Sequence, residues 1–155
     1  MKQVNFWKVD GPYGQFSNWW LCPVKIYNKT FVSSEQALMY AKAMMFNDTE
    51  VASKILQTDH QAKIKALGRE VKNFDSATWD LHKSAVMEEI LLAKFSQNED
   101  LKQLLINTGN DYIIEDSPLD YIWGIGKDRS GQNLLGKALM RVRRALNPIK
   151  TVEEE

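Results

Sequence analysis

The sequence predicts an α+β fold that is mostly helical and contains a small antiparallel sheet. Short strand-like runs lie in the first third of the chain, and from Ser33 onward the apolar residues recur with the helical period. No repeat, linker or low-complexity segment divides this pattern. The 155 residues suit one domain, which we place at residues 1–150, with a frayed acidic tail at 151–155.

The strands are indicated by alternation and by turn residues. Residues 4–9 alternate and then break at Asp10-Gly11-Pro12, which predicts a short strand leading into a loop. Val24 to Tyr27 and Thr30 to Val32 flank Asn28-Lys29, a two-residue spacing that suits a hairpin. This hairpin is the predicted antiparallel sheet.

The helices are indicated by capping residues and apolar stripes. The first begins at a capping box formed by Ser33 and Gln36 and ends near Asn47. Later elements are expected at Thr49 to Gln57, at His60 to Leu67 closed by Gly68, from about Ser76 to Gln97, at Glu99 to Ile106 capped by Asn98, as an extended piece around Tyr112 to Glu115, and as a last helix from Leu134 to Leu146 that stops at Pro148.

Composition and charge exclude several classes of protein. Twenty Lys and Arg balance twenty Asp and Glu, so the chain is not held to nucleic acid or membrane by its overall charge. The single Cys22 forms no internal disulfide and, with only two histidines, supplies no four-ligand zinc set, so we expect no metal. No apolar run is long enough to span a bilayer, and a reducing cytoplasm fits best.

Glu35 and Lys42 are the charged pair of the first helix. They are about two helical turns apart, which puts them on nearly the same face, where they could border one cleft. From spacing alone the simpler interpretation is a pair of solvated surface charges, with Glu35 favoured in the first turn by the helix dipole. A basic run that includes Lys63, Arg69 and Lys72 could bind phosphate, although most such runs are hydrated faces.

The segment from Glu115 to Gly126 is the richest in candidate functional residues. Trp123 could stack on a flat ring, Asp120 could orient a hydroxyl or exchange a proton, and Gly124 could let a ligand approach the backbone. The alternative is that Trp123 is a core residue and the glycines form turns. The third glycine of a dinucleotide-binding fingerprint is missing, because Arg129 occupies its place.

An ordered set of motifs extends through the chain from about residue 5 to 147. It comprises Phe16-Ser17-Asn18-Trp19, Ser34-Glu35-Gln36, Tyr40-Ala41-Lys42-Ala43, Leu67-Gly68-Arg69, Trp79, Ala93-Lys94-Phe95, Leu104-Leu105, Thr108-Gly109, Glu115 to Asp120, Trp123-Gly124-Ile125-Gly126, Gly131 to Gly136, Leu139-Met140 and Arg143. In these motifs the chain resembles the NADAR family, also called YbiA-like proteins. The chain departs from the family pattern at two places: Gln36 stands where His is frequent, and Ala37-Leu38-Met39 stands where an aromatic residue often follows. Both departures concern the choice of substrate.

The resemblance implies an N-glycosidase-type hydrolase that acts without metal or cofactor on ribose linked to a nitrogen. The expected substrates are ribosylamino-pyrimidine phosphates of riboflavin synthesis. A second enzymatic hypothesis is removal of ADP-ribose from guanine in DNA or RNA, so that nucleic acid would be a partner only as a modified substrate. A third is a module that binds ADP-ribose or NAD without cleaving it. A membrane partner is not expected.

The resemblance also assigns roles to individual residues. It implies that Glu35 and Asp120 are the acid and base, and that Lys42 is an electrostatic or covalent partner. The implied substrate-binding residues are Trp79 and Trp123 beside the base or sugar, Arg69 for phosphate, and Ser17, Asn18 and Gly124. Two routes remain open: the carboxylates divide acid and base roles at an oxocarbenium-like transition state, or a lysine with a depressed pKa forms a Schiff base with the ring-opened sugar.

Overall fold

The computed structural model describes residues 2–147. The elements within them are β1 (Gln3–Phe6), a short 3-10 helix (Gly14–Phe16), β2 (Val24–Ile26), β3 (Lys29–Phe31), α1 (Ser34–Met45), α2 (Thr49–Leu56), α3 (Gln61–Gly68), α4 (Ser76–Gln97), α5 (Glu99–Ile106), β4 (Tyr112–Glu115) and α6 (Leu134–Leu146). The α+β class is therefore confirmed.

The described residues form two compact units. Residues 18–94 make up the contiguous unit, and residues 2–17 with 95–147 make up the discontinuous unit. The single domain at residues 1–150 stays a prediction. Residues 148–150, the stop at Pro148 and the tail at 151–155 lie outside the described residues.

The hairpin of the contiguous unit forms one residue earlier than predicted. β2 and β3 pair antiparallel with Ile26 opposite Lys29, so the turn is Tyr27-Asn28 and not Asn28-Lys29. Both turn residues have positive φ, 57° at Tyr27 and 60° at Asn28, as a type I′ turn requires. The predicted register was wrong because it took Asn28 as the first turn residue.

Contacts of the Tyr27 side chain explain this register. Its hydroxyl donates a hydrogen bond of 2.8 Å to Glu89 of α4, and its ring lies 6.4 Å from those of Phe31 and Tyr40. Burial and the Glu89 carboxylate raise the pKa of Tyr27, so the hydroxyl stays a donor. These contacts stabilise a backbone conformation that an aromatic residue seldom adopts.

The helices of the contiguous unit follow their predicted bounds closely, and α1 packs against both α2 and α3. Gly68 is the last residue of α3 rather than a left-handed cap, because the helix is capped by Arg69 with φ −79°. A Cβ at Gly68 would collide with the Sδ atom of Met39. This glycine therefore permits close packing of α3 on α1.

A parallel strand pair that the sequence did not predict organises the discontinuous unit. β1 pairs with β4 in the register Gln3 to Tyr112, and α6 packs against β4. Val4 and Phe6 of β1 are buried, and Phe6 meets Phe16 edge to face at 5.8 Å. Arg143 of α6 donates hydrogen bonds to the Thr108 hydroxyl and the Asp111 carbonyl, at 2.8 and 2.9 Å.

Candidate active site

Glu35 lies in the first turn of α1, in the contiguous unit. Ser33 caps this helix, because its hydroxyl accepts a hydrogen bond of 3.1 Å from the N–H of Gln36. The Glu35 residue is only 8% exposed, so the interpretation of a solvated surface charge is wrong for it. The positive end of the α1 dipole helps to stabilise a carboxylate at this position.

Asn18 fixes the chain next to Glu35. The Asn18 carbonyl accepts a hydrogen bond of 2.9 Å from the Glu35 N–H, and its side-chain oxygen accepts one of 2.7 Å from the Ser34 hydroxyl. The Asn18 amide group also donates to the sulfur of Met87 on α4 at 3.5 Å. Asn18, which the resemblance placed among substrate-binding residues, is thus bonded to α1 and α4.

Lys42 extends its amine toward aromatic rings. Nζ lies 4.7 Å from the ring centroid of Phe74 and 5.9 Å from that of Trp79, both within cation–π range. Trp79 is buried, with 7% of its surface exposed, and Lys42 is half-buried. The amine therefore sits in a partly apolar environment at the end of α1.

Burial is the main cause that lowers the pKa of Lys42 below the ordinary lysine value. The negative charge of Glu35 opposes this effect, whereas the like charge of Arg69 adds to it. The neutral amine is consequently more populated than on an exposed lysine. A neutral amine can attack an electrophilic carbon, and a nearby carboxylate can exchange the protons that such an attack requires.

Gln36, next to Glu35, forms hydrogen bonds to three backbone groups of the contiguous unit. Its side-chain oxygen accepts a 2.8 Å hydrogen bond from the N–H of Val32, which precedes the N-cap, and not from the N–H of Ser33 as the predicted capping box requires. Its amide nitrogen donates to the carbonyls of Ile55 and Thr58 at 2.9 and 3.0 Å. The Gln36 side chain therefore joins α1 to the end of α2.

Asp120 and Trp123 belong to the discontinuous unit, on a loop at residues 116–133 that joins β4 to α6. The Asp120 Oδ1 atom accepts hydrogen bonds from the N–H groups of Ile122 and Trp123, at 2.9 and 2.8 Å. Trp123 is half-buried, so its burial does not distinguish a core residue from one that stacks on a ligand. The carboxylate thus holds the turn that carries this tryptophan.

Gly124 is buried in the same loop. A Cβ on Gly124 would lie 2.9 Å from the Asp120 carbonyl oxygen and 3.1 Å from that of Glu115. The glycine is needed for close approach of the loop to its own backbone. Contact between Gly124 and a ligand, which the resemblance implied, stays a prediction.

The other predicted site residues are exposed or belong to the discontinuous unit. Arg69 follows the end of α3 and is exposed. Lys63 and Lys72 of the basic run are also exposed. Ser17 caps the 3-10 helix through its backbone N–H, in the discontinuous unit. Of the predicted site residues, the structure brings together Glu35, Lys42, Arg69 and Trp79. The Asn18 carbonyl is hydrogen-bonded to the backbone N–H of Glu35.

Sequence reasoning missed Phe74 and gave no role to two buried lysines. Phe74 lies between α3 and α4, outside any periodic pattern that could have singled it out. Lys83 and Lys94 share the buried stripe of α4, and Lys83 forms a 2.8 Å ion pair with Asp80. The helical spacing of Lys83 from Trp79 was a signal that could have found it.

The described part of the chain contains no group of three or more His, Cys, Asp or Glu side chains placed to hold a metal ion. In the same residues, no helix combines the length and the apolar character that crossing a membrane requires. Cys22 is a half-buried free thiol.

Comparison with known proteins gives consistent matches. A family model described as NADAR domain matches residues 5–147. An N-glycosidase of Acanthamoeba polyphaga mimivirus is 42% identical over 144 residues, which cover 83% of this chain and 85% of that protein. A riboflavin biosynthesis protein of Vibrio vulnificus is 32% identical over 143 residues, covering 92% of this chain and 38% of that protein.

N-glycosidase YbiA of Escherichia coli is similar to this chain in both sequence and structure. It is 32% identical over 143 residues, which cover 92% of this chain and 88% of YbiA. The NMR structure of E. coli YbiA matches with a TM-score of 0.85 at 31% identity, covering 98% of this chain and 88% of that one.

Proposed function

Because the chain belongs to the NADAR family, we propose that it is an N-glycosidase, a hydrolase that cleaves the bond between C1′ of a ribose and a nitrogen. The relatives from mimivirus and E. coli that are named N-glycosidases support this activity. The Vibrio relative, named a riboflavin biosynthesis protein, supports a phosphorylated ribosylamino-pyrimidine as the substrate.

The cluster of Glu35 and Lys42 is the observation that carries the proposal. It combines a carboxylate that is 8% exposed with an amine whose pKa is lowered by burial and by Arg69. An exposed lysine would be almost fully protonated near neutral pH and would be a poor nucleophile. This cluster therefore favours the covalent role of Lys42 over the purely electrostatic one.

The reaction can be written with Lys42 as the nucleophile and Glu35 as the group that exchanges protons. Opening of the ribose ring gives an imine between C1′ and the leaving nitrogen. The neutral Lys42 amine adds to C1′, and Glu35 accepts the two protons of that amine in turn and passes them to the leaving nitrogen. The C1′ bond to that nitrogen then breaks, so the nitrogen departs as an amine and an imine between C1′ and Lys42 remains. Water then hydrolyses the new imine on Lys42, which releases the sugar as an aldehyde and restores the amine.

The remaining roles follow from the family resemblance. Arg69, exposed near Lys42, is proposed to bind the substrate phosphate, since a guanidinium matches phosphate oxygens in geometry and charge. Trp79 is proposed to line the pocket for base or sugar. Asp120 and Trp123 of the discontinuous unit are proposed as a further acid or base and as a stacking residue, which are the roles that the resemblance implies.

The test is a Glu35→Gln variant assayed for release of free pyrimidine from a ribosylamino-pyrimidine phosphate. We expect turnover to fall by roughly two to four orders of magnitude, the usual effect of removing a positioned proton donor. Glu50→Gln is a matched control, because Glu50 also lies in the first turn of a helix of the same unit but is exposed and paired with Lys54 at 3.6 Å.

Wild-type turnover in a folded Glu35→Gln protein would overturn the assignment of Glu35. A parallel assay with an oligonucleotide that carries ADP-ribose on guanine separates the two enzymatic hypotheses. Release of ADP-ribose from this probe, with no turnover of the small substrate, would overturn the proposed substrate class while leaving an N-glycosidase.

A further inference from the structure

Phe74 lies against the amine of Lys42 in the contiguous unit. The residue follows α3 and precedes α4, and the ring centroid is 4.7 Å from Nζ. Phe74 also has an apolar neighbour, because Phe46 at the end of α1 meets it edge to face at 5.2 Å. Phe74 is nevertheless 42% exposed, an unusual position for a ring whose only task is to fill a core.

Trp79 gives Lys42 a second aromatic neighbour, at 5.9 Å and on a different element, α4. Two rings from two segments restrict the places that a four-carbon side chain can reach, and both exclude water from the amine. Trp79 was already implicated by the family motifs, whereas nothing in the sequence pattern pointed to Phe74.

We propose that Phe74 is a positioning residue for Lys42, which holds the amine in place and covers it against water with its exposed ring. The catalytic consequence rests on the proposed function, in which Lys42 attacks C1′. The positioning itself concerns only the lysine and can be measured without any substrate.

The charges that act on Lys42 are those of Glu35 on α1 and Arg69 at the end of α3. Phe74 and Trp79 add no charge, but they act in opposite senses: their π faces favour the ammonium, and the exclusion of water favours the neutral amine. Burial is the largest cause of the lowered pKa of Lys42, and the Phe74 ring, 4.7 Å from Nζ, is part of what buries the amine. Removal of the Phe74 ring should therefore raise that pKa.

The experiment is competitive acetylation of the native protein with acetic anhydride across a pH series, with the Lys42 peptide quantified by mass spectrometry. In Phe74→Ala we expect the midpoint of Lys42 acetylation to move to higher pH, with labelling at about pH 8 roughly threefold lower than in the wild type. Phe74→Tyr, which keeps the ring, should restore the wild-type midpoint. Leu81→Ala is the control, because it shortens a side chain that is 76% exposed in the same unit.

An unchanged Lys42 midpoint in folded Phe74→Ala would overturn the proposal. If Phe74→Ala does not fold, Phe74→Ser and Phe74→Asn provide polar replacements of the ring, and the same upward shift in either is required. A shift equally large in Leu81→Ala would also overturn it, because the effect would then not be specific to the ring over Lys42.

Turnover gives a second readout that separates this inference from the proposed function. If Lys42 is the nucleophile, Phe74→Ala should lower kcat on the order of tenfold and move the rising limb of its pH profile to higher pH, because the neutral amine then forms later. A shifted acetylation midpoint with unchanged turnover would support positioning by Phe74 and contradict the proposed use of Lys42. An unshifted midpoint would contradict positioning whatever the turnover.

Discussion

The cluster around Glu35 and the loop at residues 116–133 are held in place by different kinds of contact. Around Glu35, side chains connect separate segments. Asn18 accepts a hydrogen bond from Ser34 of α1, and Phe74 lies against Lys42. Gln36 of α1 donates to the carbonyl of Ile55 on α2. In the loop, hydrogen bonds between backbone groups hold the chain in place: the N–H groups of residues 131–135 donate to carbonyls of residues 121–125.

This difference determines which substitutions each region tolerates. A cluster built from side chains can lose one member and keep its backbone, so its variants should change chemistry more than fold. A loop built from backbone hydrogen bonds requires its backbone segments to lie close to each other. At Gly131, for example, a Cβ would lie 2.7 Å from the carbonyl carbon of Ile125. Substitution in the loop should therefore affect stability first.

The largest effect is expected from Lys42→Arg, which keeps the positive charge but removes the nucleophilic amine. If the covalent route is correct, turnover should fall by roughly three orders of magnitude, as far as in Lys42→Met. The measurement is pyrimidine release at saturating substrate, with circular dichroism to verify folding. Activity of Lys42→Arg close to wild type would instead assign Lys42 an electrostatic role.

Gly131→Ala tests the loop, and its effect should appear in the free energy of unfolding. We expect a loss of about 3 kcal/mol, because the new Cβ meets backbone atoms that cannot rotate away. Urea unfolding measures it. Gly11→Ala in the same unit is the control, since its Cβ would meet only ordinary contacts from 3.4 Å outward. Equal stability of the two variants would show that the loop yields easily.

Gln36→Leu asks whether the residue beside Glu35 belongs to the chemistry or to the scaffold. Loss of its hydrogen bonds to Val32, Ile55 and Thr58 should cost about 2 kcal/mol of stability while KM stays near the wild-type value. Gln57→Leu, at an exposed position, is the control. An unchanged stability with a raised KM would instead make Gln36 a substrate contact.

The smallest expected effect concerns pH and Lys94, which is fully buried on α4. Burial lowers the pKa of Lys94 to about 8, so between this pH and 9 the unfolded chain binds the proton that the native state has released. Stability should therefore rise with pH in this window, by roughly 1 kcal/mol per pH unit, and the contribution should be flat below it.

Lys94→Met isolates this contribution when its unfolding free energy is compared with that of the wild type across the same pH range. Burial raises the pKa of the Cys22 thiol above its ordinary value of 9.0, so toward pH 9 the unfolded chain begins to lose a proton that the native state keeps, and this opposes the slope from Lys94. Cys22 is present in both proteins, so the comparison with Lys94→Met largely cancels its contribution. Identical pH slopes for the two proteins would contradict a native-state deprotonation of Lys94.

Local signals predicted much of this fold. The bounds of α1 follow from Ser33 and Gln36, because capping is decided by neighbours within one turn. Two features escaped prediction because distant residues decide them. The hairpin register depends on the hydrogen bond from Tyr27 to Glu89, and the parallel pairing of β1 with β4 joins strands that residues 7–111 separate.

The candidate site was predictable only in part. Spacing placed Glu35 and Lys42 on one helix face, but burial, which separates a site from a surface pair, depends on tertiary packing and was misjudged for Glu35. The role of Lys42 entered through the family motifs. No sequence pattern indicated Phe74, because a loop residue belongs to no helical or strand period from which its contact with Lys42 could be predicted.

The parallel pair of β1 and β4 has a consequence for synthesis on the ribosome. β1 emerges before the segment 18–94, whereas Tyr112–Glu115 emerges only after that entire segment has been made. The contiguous unit is thus available to fold while β1 still presents unpaired backbone groups, a state that invites aggregation. Along β1 the polar side chains of Gln3 and Asn5 alternate with the apolar ones of Val4 and Phe6. These polar side chains make the unpaired strand a poorer template for pairing with other nascent chains.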